Sequence, residues 1–146
     1  LELAADNRLP LFMHERDAHD AFIGAMREQR DAVVGGVVHC FTGTLEQATA
    51  YLDLDLHIGI TGWLCDERRG QHLQEVVRHV PADRLMLETD APYLAPRDYR
   101  PRIKRNEPKY LPHILETGAR CRDESAEKLA LQVLGTTRKF FGLVAA

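Results

Sequence analysis

The sequence has few cysteines and no long hydrophobic run. Its three cysteines, Cys40, Cys65 and Cys121, are an odd number without C-x-x-C spacing, which argues against a disulfide framework or a cysteine-based zinc site and favours a reducing cytoplasm. No apolar run approaches the ~20 residues that a membrane-spanning helix needs, and no signal-peptide pattern is seen. We therefore expect a cytoplasmic globular protein that has no membrane partner.

Several catalytic patterns are also missing. The chain has no serine in a G-x-S-x-G context and no glycine-rich phosphate loop. Cys40 directly follows His39, and on a strand the two side chains would point to opposite faces, which disfavours a cysteine nucleophile. The net charge is −3, whereas a protein that binds nucleic acid along a broad face is usually basic, so any contact with nucleic acid has to be local.

What is present is an alternation of short apolar runs and helical patterns. The 146 residues are enough for one domain with one core. Strand-like runs begin about 25 residues apart, the spacing of parallel βαβ units, which predicts an α/β fold. It is either a small open sheet or half of a (β/α)₈ barrel. Strands are predicted at residues 9–14, 33–41, 57–62 and 84–89, and helices at 18–30, 44–54, 66–80, 112–122 and 125–141. Asp17 is the expected N-cap of the first of these helices, and Thr44 and Gln47 form a capping-box pattern.

Polar residues with metal-ligand chemistry end three of the predicted strands. His14, His39 and Asp90 would converge at the carboxyl edge of a parallel sheet, where α/β folds carry their active sites. Two imidazoles and a carboxylate suit Zn²⁺, Mn²⁺ or Fe²⁺ better than Mg²⁺. Glu88 is a candidate second ligand, or a partner that orients a ligand. The alternative is that each histidine is a hydrogen-bonded structural group and that E-T-D is a solvated turn.

A carboxylate at such a site can also act as a base. A divalent metal lowers the pKa of a water that it binds to ~7, and Asp90 is the candidate to take that proton. The neighbouring segment 97–105 is rich in basic residues, including Arg97, Arg100 and Arg102. It is suited to anchoring phosphates, and Tyr93 can stack on a base of a single strand. The alternative is a solvated loop without function.

The motifs that hold these residues resemble those of the TatD family of metal-dependent deoxyribonucleases. The matching stretches are LPLFMHERDAH, VVHCFTGT, IGITGWLCDERRG, LMLETDAPYLAPR and RNEP, in that order between residues 9 and 143. The resemblance implies a TIM barrel of the metallo-dependent hydrolase type. It also implies 3′→5′ exonuclease action on single-stranded DNA, with RNA as a further substrate, and a link to DNA repair. Mg²⁺ is the metal that it implies, beside the Mn²⁺ or Zn²⁺ favoured by the histidines.

The resemblance assigns roles residue by residue. His14 and His39 match metal-ligand histidines, and Asp90 matches the catalytic and metal-binding aspartate of E-T-D-x-P, with Glu88 beside it. Arg16, Arg97 and Asn106 match positions near the substrate.

Two family motifs are missing from the sequence, H-x-H and the glutamate of G-E-x-G-L-D. We therefore expect residues 1–146 to form a single domain, the last four βα units of the barrel plus C-terminal helices, without the N-terminal half. Such a chain would self-associate or pair with a separate N-terminal half, unless the sequence is part of a longer protein. Two other functions stay open: hydrolysis of a small amide or aminoacyl ester, and an inactive half-barrel that serves assembly.

Overall fold

The sheet consists of four parallel strands that pair in chain order. The computed structural model describes residues 1–143, and within that part the sheet has no reversal of strand order. The strands are β1 (Leu11–His14), β2 (Gly36–His39), β3 (His57–Ile60) and β4 (Leu85–Leu87). The α-helices are α1 (Glu2–Asn7), α2 (His19–Gln29), α3 (Leu45–Leu52), α4 (Gln71–His79), α5 (Leu111–Arg122) and α6 (Ala126–Phe140), and two 3₁₀ helices cover Gly62–Cys65 and Pro108–Tyr110.

The two faces of the sheet have different partners. Val38, Ile58 and Leu85 lie side by side in neighbouring strands, and all three belong to the buried hydrophobic core. The opposite face, which would be the inside of a barrel, holds the alternate residues of each strand. On it, His14 pairs with His39 and Gly59 pairs with Met86.

The helices form one layer over the core side of the sheet. From α2 to α6, each helix packs against the next one along the chain. Sequential parallel strands with one helix layer are an arc of a (β/α)₈ barrel, because a doubly wound sheet reverses its strand order at a switch point. Of the two architectures that the sequence left open, the structure is therefore the partial barrel, as the fold-class prediction stated.

All of the predicted strands and helices are present, with local corrections at their ends. The capping box at Thr44 and Gln47 starts α3 as predicted. Asp17 is not an N-cap: its φ of 54° is left-handed. The N-cap of α2 is Ala18, which makes no side-chain capping bond and whose backbone N–H donates to a carboxylate oxygen of Glu15. The helix predicted from residue 66 begins only at Gln71, because a turn around Asp66 comes first.

No helix among residues 1–143 combines the length and the apolar character needed to cross a membrane.

Candidate metal centre and basic cleft

The strands deliver the predicted ligands to one edge of the inner face. His14 and His39 end adjacent strands in matching register, and their ring centroids are 5.6 Å apart. Asp90 follows β4 on the same edge, with an Oδ1 atom 3.9 Å from Nε2 of His39. The structure thus brings together His39 and Asp90 closely, with His14 one strand away.

Glu88 determines which ring nitrogen of His39 is available to bind a metal. Its Oε2 atom lies 2.7 Å from Nδ1 of His39, and its Oε1 atom accepts the backbone N–H of Cys40 at 2.7 Å. A carboxylate on Nδ1 holds the ring proton there, so the lone pair of Nε2 faces Asp90. Both carboxylate oxygens of Glu88 are therefore engaged with β2. Of the two roles that the sequence left open, this geometry favours orientation of the ligand.

Gly59 makes this bridge across β3 possible. A Cβ atom at this position would lie 2.4 Å from Oε1 of Glu88 and 3.3 Å from the backbone of His39. Real side chains do not approach that closely, so any larger residue would displace the glutamate. The sequence reasoning missed Gly59, and the H-I-G-I-T-G run gave no signal that its first glycine lies under a carboxylate.

Cys40 lies closer to this centre than expected. β2 ends at His39, and Cys40 has a left-handed φ of 51°, so the strand alternation does not continue through it. The expected opposite orientation is therefore wrong: ligand atoms of His39, Cys40 and Asp90 lie within 4.8 Å of one another. Burial raises the pKa of the Cys40 thiol, and its Sγ pairs with Oγ1 of Thr61 at 3.9 Å. The buried, neutral thiol agrees with the expectation that it is not a nucleophile.

Asn106 holds the loop that carries Asp90. Its side-chain amide donates to the carbonyl oxygens of Thr89 at 2.7 Å and Tyr93 at 2.6 Å. Its Oδ1 atom accepts the N–H of Glu107 at 3.0 Å, and the residue is 1% exposed. With no free polar atom, Asn106 does not fit the predicted direct contact with substrate. It fixes the turn in which Asp90 adopts a φ of 54°, a strained conformation of the kind found at functional sites.

The predicted basic residues line a cleft next to this loop. Arg97, Arg100 and Arg102 surround it together with Arg68, and its volume is about 340 Å³. Its floor is Asp66, whose side chain is 4% exposed and lies 3.6 Å from Nε of Arg97. Burial alone would raise the pKa of Asp66, but bonds from Arg68 and the charge of Arg97 outweigh it and lower the pKa. Three carboxylates, of Asp66, Glu67 and Asp98, thus stand against four guanidinium groups, so the cleft has a formal excess of one positive charge.

The remaining predicted substrate residues are at the same edge. Tyr93 is 69% exposed, and its backbone N–H bonds the carbonyl of Asp90 at 2.9 Å, so its ring is available beside the aspartate. Arg16 lies across the edge from the basic cleft. It lines a separate cleft between the loops that follow β1 and β2.

The other histidines lie outside this centre. His19 pairs with the hydroxyl of Tyr51, and His72, His79 and His113 pair with Thr42, Glu75 and Asp98. His57 begins β3, at the opposite edge from Asp90.

The fold and this edge define a class: a (β/α)-barrel arc with a histidine–carboxylate centre at the carboxyl ends of its strands. The family model for TatD related DNase matches residues 1–142, so the chain belongs to the TatD-related DNase family. It is 53% identical over 146 residues to the 3′-5′ ssDNA/RNA exonuclease TatD of Pantoea ananatis, covering 99% of this chain and 56% of that protein. The protein with the same name in Erwinia billingiae is 54% identical over 147 residues, with 99% and 56% covered.

Solved structures agree with this assignment. A TatD homologue of Escherichia coli superposes with a TM-score of 0.85 at 28% identity, covering 97% of this chain and 53% of that one. A TatD-family hydrolase of Entamoeba histolytica superposes with a TM-score of 0.78 at 25% identity, covering 92% and 51%. The chain therefore spans about half the length of the relatives that it matches.

Proposed function

We propose that this chain supplies the His39–Asp90 part of a divalent-metal site that hydrolyses phosphodiester bonds, removing nucleotides from the 3′ end of single-stranded DNA, with RNA as a further substrate. The observation that carries the proposal is the pair formed by Nε2 of His39 and Oδ1 of Asp90, 3.9 Å apart. Curated relatives about half identical to the chain are named 3′-5′ ssDNA/RNA exonucleases, which supports the reaction and the substrate.

The residues present fit a divalent ion. Two ligands on one ion are roughly 3.0–3.4 Å apart when each bond is about 2.1 Å, so the two atoms need to close by less than about 1 Å. The carboxylate of Glu88 lies on Nδ1 of His39, which leaves Nε2 as the nitrogen that can bind a metal. His14, His39 and Asp90 would hold the ion. Mg²⁺ agrees with the family and Mn²⁺ or Zn²⁺ with the imidazole ligands. When bound, the ion would supply charge for the phosphate oxygens and acidify a water.

The other steps belong to the chain's own groups. Asp90 accepts the proton of the attacking water, and its loop is held by Asn106 so that the carboxylate stays aimed at the edge. Glu88 keeps the proton of His39 on Nδ1. Arg97 and Arg102 hold the phosphates of the strand, and the exposed ring of Tyr93 stacks on a base.

We infer that residues 1–146 form one domain that corresponds to the carboxyl-terminal half of a barrel. The hydrophobic core runs without interruption from α2 to α6. Phe12 on the inner face is 57% exposed, which suits a surface that further βα units cover. These units would come from a second copy, from a separate N-terminal half, or from the rest of a longer chain.

The test is release of mononucleotides from 3′-labelled single-stranded DNA by this chain with Mg²⁺ or Mn²⁺. We expect release that Asp90→Asn abolishes and that adding chelator stops. Release that Asp90→Asn leaves unchanged would overturn the proposal. A stable oligomer without any metal-dependent turnover would instead favour the assembly module.

A second arm separates a nuclease from a small-molecule hydrolase. Neutralising Arg97 and Arg102 should weaken DNA binding and reduce the slope of log affinity against log salt by about 0.7 for each phosphate that the variant no longer neutralises. Arg27→Ala, an exposed arginine on α2, is the matched control and should leave that slope unchanged. Turnover of an amide or aminoacyl ester that does not change when these arginines are neutralised would contradict the phosphodiesterase hypothesis.

A further inference from the structure

A second group of metal-ligand side chains lies away from the carboxylate and imidazole of the first centre. Cys65, Asp98 and His113 each offer a ligand atom within 4.8 Å of the others. They come from three separate segments: the 3₁₀ helix Gly62–Cys65, the basic loop and α5. The proposed nuclease site uses none of them.

The three side chains are held by their neighbours. Nε2 of His113 lies 2.7 Å from Oδ1 of Asp98, and its ring packs edge-on against Tyr99, with centroids 5.1 Å apart. Sγ of Cys65 is 3.6 Å from Oγ1 of Thr117. A cleft of about 320 Å³ gives access to Cys65 and Asp98 and is also lined by Cys121.

This cluster is not arranged as a nucleophile. Burial raises the pKa of the Cys65 thiol to about 12, so the thiolate that attacks a substrate is absent near neutral pH. Thr117 cannot supply a base, because its hydroxyl donates to the carbonyl of His113 at 3.0 Å. A thiol, an imidazole and a carboxylate around one point are instead the donor set that Zn²⁺ binds in proteins.

We propose that Cys65, Asp98 and His113 form a structural zinc-class site that ties the basic loop to α5. Ligands on a tetrahedral zinc are roughly 3.4–3.6 Å apart. Oδ1 of Asp98 and Nε2 of His113, which are 2.7 Å apart, therefore have to separate by roughly 0.7–0.9 Å, while Sγ of Cys65, within 4.8 Å of both, moves closer to them. Motif spacing could not reveal this site, because its ligands are far apart in the sequence.

Binding displaces one proton to solvent. The Cys65 thiol loses its proton to become the zinc-bound thiolate. His113 binds zinc through Nε2 as a neutral imidazole whose ring proton is on Nδ1. Asp98 binds as the carboxylate, and no oxidant or reductant is needed. Zinc affinity should therefore rise about tenfold for each pH unit while the free thiol is protonated.

The experiment titrates Co²⁺, a spectroscopic substitute for Zn²⁺, into the 146-residue chain carrying Asp90→Asn to weaken the first centre. We expect a sulfur-to-cobalt charge-transfer absorption that one equivalent of Zn²⁺ abolishes. Cys65→Ser should remove it, while Cys40→Ser, the matched control thiol, should keep it. Asp98→Asn should weaken Zn²⁺ binding by at least about tenfold.

Three results would overturn the site. They are no charge-transfer absorption in the folded chain, absorption that survives Cys65→Ser, and absorption that disappears only in Cys40→Ser. In each case Asp98 and His113 would form only a hydrogen bond between the basic loop and α5, without a metal. If Cys65→Ser fails to fold, as judged by circular dichroism, Asp98→Asn decides the matter alone, because Asp98 lies on a loop outside the core. Unchanged zinc affinity in that variant would sink the proposal.

Discussion

The two ends of the parallel strands place histidine in opposite surroundings. At the carboxyl edge, Glu88 orients His39 and leaves Nε2 facing Asp90. At the amino edge of the same inner face, His57 packs edge-on against Phe140, with ring centroids 5.0 Å apart. Nδ1 of His57 is buried and lacks a hydrogen-bond partner among residues 1–143. The same side chain on the same face is thus a proposed ligand beside Glu88 and a packing group beside Phe140.

The largest effect should come from removing the two histidines in turn. His39→Ala deletes a proposed ligand and should weaken Mn²⁺ binding by more than the ~100-fold that loss of a supporting residue can cost. His57→Ala should leave Mn²⁺ affinity unchanged, because the ring lies at the other edge. Calorimetric titration of both variants measures the difference. Equal reductions in affinity would mean that the edges do not differ in the proposed way.

Glu88→Gln tests whether Glu88 orients His39 for metal binding. The substitution keeps the size of the side chain but removes the charge that holds the proton on Nδ1 of His39. We expect Mn²⁺ affinity to fall about 10–100-fold while thermal stability changes little. Glu116→Gln, which removes the same charge from an exposed position on α5, is the control. A titration curve identical to the parent's would show that Glu88 does not orient the ligand.

Gly59→Ala tests whether stability and metal binding depend on the space that Gly59 leaves for Glu88. The added methyl group would meet Oε1 of Glu88 at 2.4 Å, so the bridge to His39 has to move. We expect a loss of about 1–3 kcal/mol in unfolding free energy, as overpacking generally costs, together with weaker Mn²⁺ binding. Gly24→Ala on α2, where a Cβ meets nothing within 4 Å, should instead stabilise by up to about 1 kcal/mol. Denaturant unfolding of both variants checks this. If both substitutions change the unfolding free energy in the same direction, the argument that Gly59 leaves room for Glu88 is wrong.

The comparison also shows what the sequence could reveal. The order of elements and the convergence of His14, His39 and Asp90 followed from periodicity and parallel topology, because strand ends share an edge. Patterning could not tell that Glu88 reaches across Gly59 or that Asn106 faces the backbone, because both depend on the curvature of the sheet and the path of the loop. The predicted end of the second strand at residue 41 was also wrong, because Cys40 has a left-handed φ and ends an apolar run that looked continuous.

The smallest effect concerns pH at the amino edge. Burial, followed by the charge of Arg84, lowers the pKa of His57 from its ordinary value of 6.5. The unfolded chain therefore binds more protons as pH falls through 6.5, so the contribution of neutral His57 to stability is complete above that pH and declines below it. His57→Phe keeps an aromatic ring against Phe140 but cannot titrate. We expect its unfolding free energy to fall less steeply than the parent's between about pH 6.5 and pH 5, by less than the Gly59→Ala effect. Parallel slopes in urea titrations at both pH values would show that His57 remains solvated, and the contrast between the two edges would then rest on metal binding alone.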